Sequence, residues 1–410
     1  MTQDAASPKA TAAPPYPMER VSPIDPPPPL ALLRSGPAAS RITMWDGAQV
    51  WLVTAHPHVR AVLGDRRFTA VTSAPGFPMM TTTSPLVRDK PHTASFIRMD
   101  DPDHSRLRSM LTRDFLHGRA EAMRPVLREH LDEMLGELTA GERPVDLVRG
   151  LTIPVPSRVI ALLFGVSDEQ RELIENRAGI LIDRGYPPAQ VAAARDELDG
   201  LLRDVVEERM RMPEPGDDLL SRLVVDQVRT GNLTVEEMVP MCRLLLVAGH
   251  GTTTSQASLS LLSLVTDQGL ADTLAKDPEL LPKAVEELLR YHSIVQNGLA
   301  RAALEDVELG DVTIRAGEGV VVSLSAGNRD GSVFPDPDTL DPGRDARRHL
   351  AFGHGIHQCL GQWLAKVELE EMLAAVLRWM PGARLAVPFD DLDFRHEVSS
   401  YGIGALPVTW

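Results

Sequence analysis

The sequence predicts a mainly α-helical protein with small β-sheets at its edges, built as one large domain over residues 18–410. Three observations lead there. Apolar residues recur three and four apart through EAMRPVLREHLDEMLGEL (121–138) and AAARDELDGLLRDVVEERM (192–210), the spacing of a helix with one buried face. The β-prone runs are short and lie towards the two ends of the chain. No internal repeat and no linker divides the 410 residues.

Taken in order, residues 1–17 are rich in Ala and Pro, lack the apolar core of a signal peptide, and are expected to form a disordered tail. RITMWDGAQVWLVTAHPHVRAVL (41–63) reads as strand, turn, strand, helix, with the turn at Asp46-Gly47. Residues 72–97 combine prolines, a glycine and a threonine cluster, which predicts a long irregular loop. Helices dominate from Pro102 to about Met210, and GYPPAQ (185–190) separates two of them. TVEE (234–237) is a capping box, with Thr234 as cap and Glu237 reaching back. It opens a helix that carries LLLVAGHGTTTSQ (244–256), with Pro240 in its first turns. A helix follows over 277–291, beginning near Pro282. VELGDVTIRAGEGVVVSL (307–324) then reads as short strands joined by glycine turns. A polar, proline-rich stretch (327–349) leads to FGHGIHQCLG (352–361) and a helix over Trp363–Trp379, and short strands close the chain.

The formal net charge of -15 argues against a nucleic-acid footprint. The two cysteines, Cys242 and Cys359, form no CxxC pair, so a disulfide framework is not expected and a reducing cytoplasm is. No stretch reaches the ~18 apolar residues of a membrane span. The expectation is a cytoplasmic monomer that meets neither nucleic acid nor membrane.

Cys359 lies in a glycine-rich loop and opens a helix, whose positive end favours a thiolate. Gly355 and Gly361 permit close approach to the sulfur. A lone cysteine is commonly a small core residue. This environment instead suits a nucleophile or an axial metal ligand. Glu287 and Arg290, three apart, share a helix face; such a pair is commonly a solvated surface pair, but the apolar AVEELL before it points to partial burial.

FGHGIHQCLG resembles the haem-binding loop of the cytochrome P450 family, with Phe352, Gly355, His357, Cys359 and Gly361 at motif positions. The resemblance runs from about residue 20 to Trp410 and is nearest to soluble actinomycete members. It implies a cytochrome P450 fold enclosing haem b, with Cys359 as the axial thiolate; such a ligand pushes electron density onto iron and favours O–O cleavage. Phe352 would pack against the sulfur, beside Gly353, and His357 would reach a haem propionate. His104 and Arg108 in DDPDHSRLRSML, and Arg301 in GLARAALED, stand where the family binds the propionates. Glu287, Arg290 and Arg344 match a buttress behind the thiolate loop.

By the same resemblance AGHGTTT is the oxygen-binding segment, where the helix is expected to loosen over the haem. Ala248 and Gly249 allow close approach. Thr252 is the alcohol that hydrogen-bonds dioxygen and the proton-delivering water. The sequence departs from the family at Gly251, where an acid is usual. Three routes then stay open: water reaching Thr252 without the acid, a substrate hydroxyl or carboxyl ordering the protons, or chemistry less dependent on protonation. Met241, Cys242 and His250 read as packing residues.

The resemblance places substrate contacts at Met79, Met80, Thr81–Thr83 and Leu86, at Leu244 and Val247, at Ile294 and Val295, and at Ser400-Tyr401. Aliphatic walls with few hydroxyls suit a medium-to-large, mostly apolar molecule, such as a polyketide, macrolide or terpenoid secondary metabolite. The implied reaction is monooxygenation by hydroxylation or epoxidation. Electrons would come from NAD(P)H through a ferredoxin reductase and an acidic ferredoxin. The ferredoxin would dock on the basic run Arg344–His349, extended by Arg106 and Arg113. The alternatives are a peroxide-dependent or otherwise non-monooxygenase catalyst and a non-catalytic haem protein on the same fold.

Overall fold

In a computed structural model, residues 13–80, 95–182, 185–214, 216–396 and 400–410 are described. Helix Val235–Thr266 is the axis of the molecule. Its capping box is formed as expected: the Thr234 hydroxyl accepts the Glu237 N–H at 3.2 Å, and the Glu237 carboxylate accepts the Thr234 N–H at 3.0 Å. Pro240 sits inside the helix without ending it.

Around this axis pack helices Pro154–Phe164, Asp168–Ile182, Pro188–Arg211, Leu281–His292 and Gln362–Trp379. They bury two separate apolar clusters on it. One gathers on the first half, up to Leu246, with Phe164, Leu202 and Leu220. The other begins at Ala257 and takes in Leu131, Leu288 and Met372. The Gly/Thr stretch lies between them, where the helix passes from one core to the other.

A five-stranded sheet forms one edge, in the order Ser40–Thr43, Gln49–Val53, Gly319–Val322, Leu299–Ala303, Phe68–Thr69. Its one parallel pair joins Trp51–Val53 to Val320–Val322. The hairpin expected at Asp46-Gly47 is there, with Gly47 at φ 83°. Small two- and three-stranded sheets complete the β content.

Two expectations need correction. Helix Val235–Thr266 is continuous through Gly249–Thr252 and does not loosen there. Neighbouring helices pack along it: a Cβ at Gly249 would lie 3.4 Å from Ile160 of helix Pro154–Phe164. The Thr252 hydroxyl bonds back to the Ala248 carbonyl, a bond that can bend a helix, yet the helix runs on through it. The tail is ordered before Pro17: Tyr16 is buried, and residues 14–16 exchange backbone hydrogen bonds with Thr43. Burying an aromatic ring offsets the cost of ordering those few residues. Residues 1–12 lie outside the described residues, as do Thr81–Thr83 and Leu86.

Candidate active site

The thiolate loop is wedged against helix His56–Gly64. Gly355 has φ 76°, and a Cβ there would lie 2.2 Å from the Leu63 carbonyl oxygen, so both its backbone angle and its neighbour require glycine. Gly353, at φ 70°, makes the preceding bend. The Cys359 N–H donates to the Phe352 carbonyl at 2.8 Å, which closes the loop. Gly361 caps helix Gln362–Trp379 with an ordinary φ of -83° and open space beside it. Its contribution is therefore not the freedom of a glycine but its N–H, which bonds the Cys359 sulfur.

The Cys359 side chain is exposed, yet protein surrounds it, so it looks into an interior cavity. Burial pushes the thiol up, and the Gly361 N–H and Arg108 pull it back. Around the loop gathers a set of cations. Arg108 donates to the Gln358 carbonyl at 2.5 Å. The His104 and His357 rings lie 4.4 Å apart. His104 is 1% exposed; its Nδ1 lies 3.7 Å from Asp101, and its Nε2, like Nε2 of His357, has no hydrogen-bond partner among the described residues. Burial, then Arg301, His104, Arg108 and Arg98, lower His357 to about 3. Arg301, on strand Leu299–Ala303, is lowered to about 10 by burial and then by Arg98. Arg98 was not found from the sequence. It sits just after the stretch expected to be an irregular loop, and nothing in its neighbours marks it.

Unpartnered donors and desolvated cations beside an inward-facing thiol fit a cofactor with a metal for the sulfur and carboxylates at its edge. Haem is such a group: Cys359 would hold the iron, and His104, Arg108, Arg301 and His357 the propionates.

Behind the loop, Glu287 and Arg290 are fully buried and bonded at 2.6 Å, so the surface-pair alternative is excluded. Arg344 joins Glu287 at 3.0 Å. Arg290 also donates to the carbonyls of Asn328 and Pro337, at 2.8 and 2.7 Å. The Asn328 side chain in turn accepts the Leu350 N–H at 2.6 Å, at the root of the loop.

On the long helix, Ala248 is exposed and Leu244 and Thr252 are half-buried, one turn apart, while His250, Gly251 and Thr253 are buried. One stripe of an otherwise packed helix is thus open. The Thr252 hydroxyl donates to Ala248 and keeps its lone pairs for the open side.

The chain's comparisons with known proteins agree with this geometry. A sequence profile described as Cytochrome P450 matches residues 188–379. Cytochrome P450-SU2 of Streptomyces griseolus is 44% identical over 389 residues, 95% of this chain and 94% of that protein. The chain belongs to the cytochrome P450 family. A pentalenic acid synthase of Streptomyces avermitilis is 40% identical over 410 residues and the full length of both chains. The solved structure of a mycinamicin VIII methyl hydroxylase from Micromonospora griseorubida has TM-score 0.89 and 38% identity, covering 97% of this chain and all of that one. As a P450, the protein is a haem-thiolate monooxygenase that uses dioxygen. Among the described residues no helix is long and apolar enough to cross a membrane.

Of the expected substrate contacts, Leu244 and Val247 are half-buried beside the open stripe. Met79 is half-buried, and its carbonyl accepts the Trp45 indole N–H at 2.7 Å. Val295 packs against the core. Two assignments are corrected. Tyr401 is 1% exposed, its ring stacked on Phe394 and covered by the Arg20 guanidinium at 4.1 Å. Ile294 is 8% exposed in the main core. Both serve through their backbone: the Tyr401 N–H donates to the Ile294 carbonyl at 2.8 Å. The same C-terminal hairpin is pinned to the long helix, where the Ser255 hydroxyl donates to the Ser400 carbonyl at 3.1 Å and Gly402 packs on Ser255.

Proposed function

We propose that this P450 hydroxylates or epoxidises a medium-to-large, mostly apolar secondary metabolite, using electrons passed from NAD(P)H through a ferredoxin reductase and a ferredoxin. The setting is the cytoplasm and the enzyme acts as a monomer. Haem supplies oxygen activation when bound. The chain's own residues orient the substrate and manage protons. Leu244, Val247, Ala248 and Met79 offer aliphatic surface with few polar groups, which suits an apolar ligand. Relatives named for pentalenic acid and mycinamicin VIII support a natural-product substrate.

The observation that carries the reading is the open stripe ending at Thr252, beside a residue that cannot relay protons. Thr252, its hydrogen given to Ala248, accepts a hydrogen bond from a water in the cavity and so holds a proton donor in place. Gly251 is buried and brings no carboxylate to resupply that water. The proton comes through a water chain or from a polar group of the substrate itself. Burial lowers the pKa of His250 beside it, outweighing the pull of Glu175.

A reduced carbon-monoxide difference spectrum tests thiolate ligation, and a substrate-shift screen then seeks the ligand. Turnover with ferredoxin, reductase and NAD(P)H, compared with peroxide in the absence of dioxygen, separates a monooxygenase from a peroxide-driven catalyst. With the substrate in hand, Gly251→Glu changes the product formed per electron consumed; an unchanged ratio removes any role for this departure.

A further inference from the structure

The cation set around the thiolate loop is larger than the four residues the family resemblance supplies. Arg98 ends the short turn Phe96–Arg98. Phe96 before it is buried and Ile97 faces out at 44% exposure, so the turn directs Arg98 inward. Arg98 is half-buried with protein packed around it, and it makes no hydrogen bond or ion pair among the described residues. The Phe96 ring of the same turn lies 6.0 Å from the His104 ring, which places the turn at this edge of the cavity, and the Arg98 charge acts on Arg301 and His357 there.

The nearby carboxylates balance this charge only in part. Asp100 is held by the Thr69 hydroxyl and by the Ala70 N–H at 3.0 Å. Asp101 is held by Ser105 and by Arg66 at 3.1 Å, and it lies 3.7 Å from His104 Nδ1. Arg98, Arg108 and Arg301 therefore stand as three permanent cations that make no ion pair among the described residues, although Asp100 still draws on Arg301 through space. A desolvated cation demands an anion, and a planar guanidinium suits a carboxylate.

We propose that Arg98 is a third guanidinium on the carboxylates of the bound haem, adding one positive charge to that edge. It positions the cofactor and takes no part in bond making. Its second effect is on electron uptake: a positive charge beside the haem favours the reduced state. The inference rests on the haem-thiolate reading.

The test compares wild type, Arg98→Gln and Arg98→Lys as holoenzymes, each loaded with haem b or with haem dimethyl ester, whose carboxylates are blocked. Loss of haem b from Arg98→Gln is expected to be faster by roughly tenfold or more, the scale of one charged hydrogen bond. Its reduction potential falls, and its loss of the dimethyl ester matches wild type. Arg98→Lys restores most of the potential but less of the retention, because it lacks the fork. Equal acceleration with both cofactors, or no change with haem b, overturns the proposal. A wild-type protein that takes up neither cofactor, or whose reduced carbon-monoxide complex lacks the thiolate band, defeats the haem-thiolate reading itself and this inference with it.

Discussion

Glu368 lies in helix Gln362–Trp379, 4% exposed, and one of its carboxyl oxygens has no hydrogen-bond partner among the described residues. Burial alone pushes the carboxyl up to about 8. The folded state thus holds a proton that the unfolded chain releases near the ordinary glutamate value. The stability so gained is complete below that value and is lost as pH rises through about 8. Wild type should lose roughly a few kcal/mol across that window from this group, and Glu368→Gln should not. Thermal melts of both proteins from pH 5 to 9 check this; parallel curves refute it. Single residues were also where the sequence was least legible. Cys359 announced itself through its loop. Arg98 did not, and Tyr401 was assigned to the cavity, because a sequence names a side chain without saying which way it points.

The buried Glu287–Arg290–Arg344 group shows the same limit one level up. The three-residue spacing placed both charges on one helix face. Only the fold shows that Arg290 ties that helix to the 328–339 segment. Breaking a buried pair leaves an uncompensated charge, so Glu287→Ala should cost about 3–5 kcal/mol, read as a lower melting temperature and weaker haem retention. The thiolate loop gives a sharper contrast. Gly353→Ala meets only a positive φ, with its nearest neighbour 3.9 Å away, and should cost about 1 kcal/mol. Gly355→Ala must also displace the Leu63 carbonyl, and should abolish the thiolate-type carbon-monoxide spectrum. Equal spectra from the two variants would refute the wedge. The capping box, the helix from Leu281 and the short strands were legible because each has a local cause. The continuity of the long helix was not. Its glycines argue for a break, and packing from Ile160 decides otherwise.

Across the whole molecule, the basic run before the thiolate loop proves poorer in free charge than its composition suggests. Arg344 is spent on Glu287, Arg347 on Asp345 at 2.7 Å, and Arg106 on Glu237. Arg60 and Arg348 make no ion pair among the described residues, and both bear on His56 beside the loop. Reversing Arg60 and Arg348 to Glu should slow reduction by an acidic ferredoxin several-fold and more strongly at low salt, sparing a peroxide-driven reaction. Arg347→Glu should do less. Equal rates in stopped-flow reduction would remove this docking face. The fold class could be read from periodicity, while the distribution of charge over its surface could not, since pairing is a property of the folded chain. The C-terminal hairpin carries a last consequence. It is fastened to Ser255, less than one turn beyond Thr252, so the two cannot be remodelled independently. An evolving lineage that altered Gly402 to welcome a new substrate would disturb the helix that handles protons, and would waste reducing equivalents as peroxide until a second change restored the helix. Substrate range and electron economy are, at this joint, one trait.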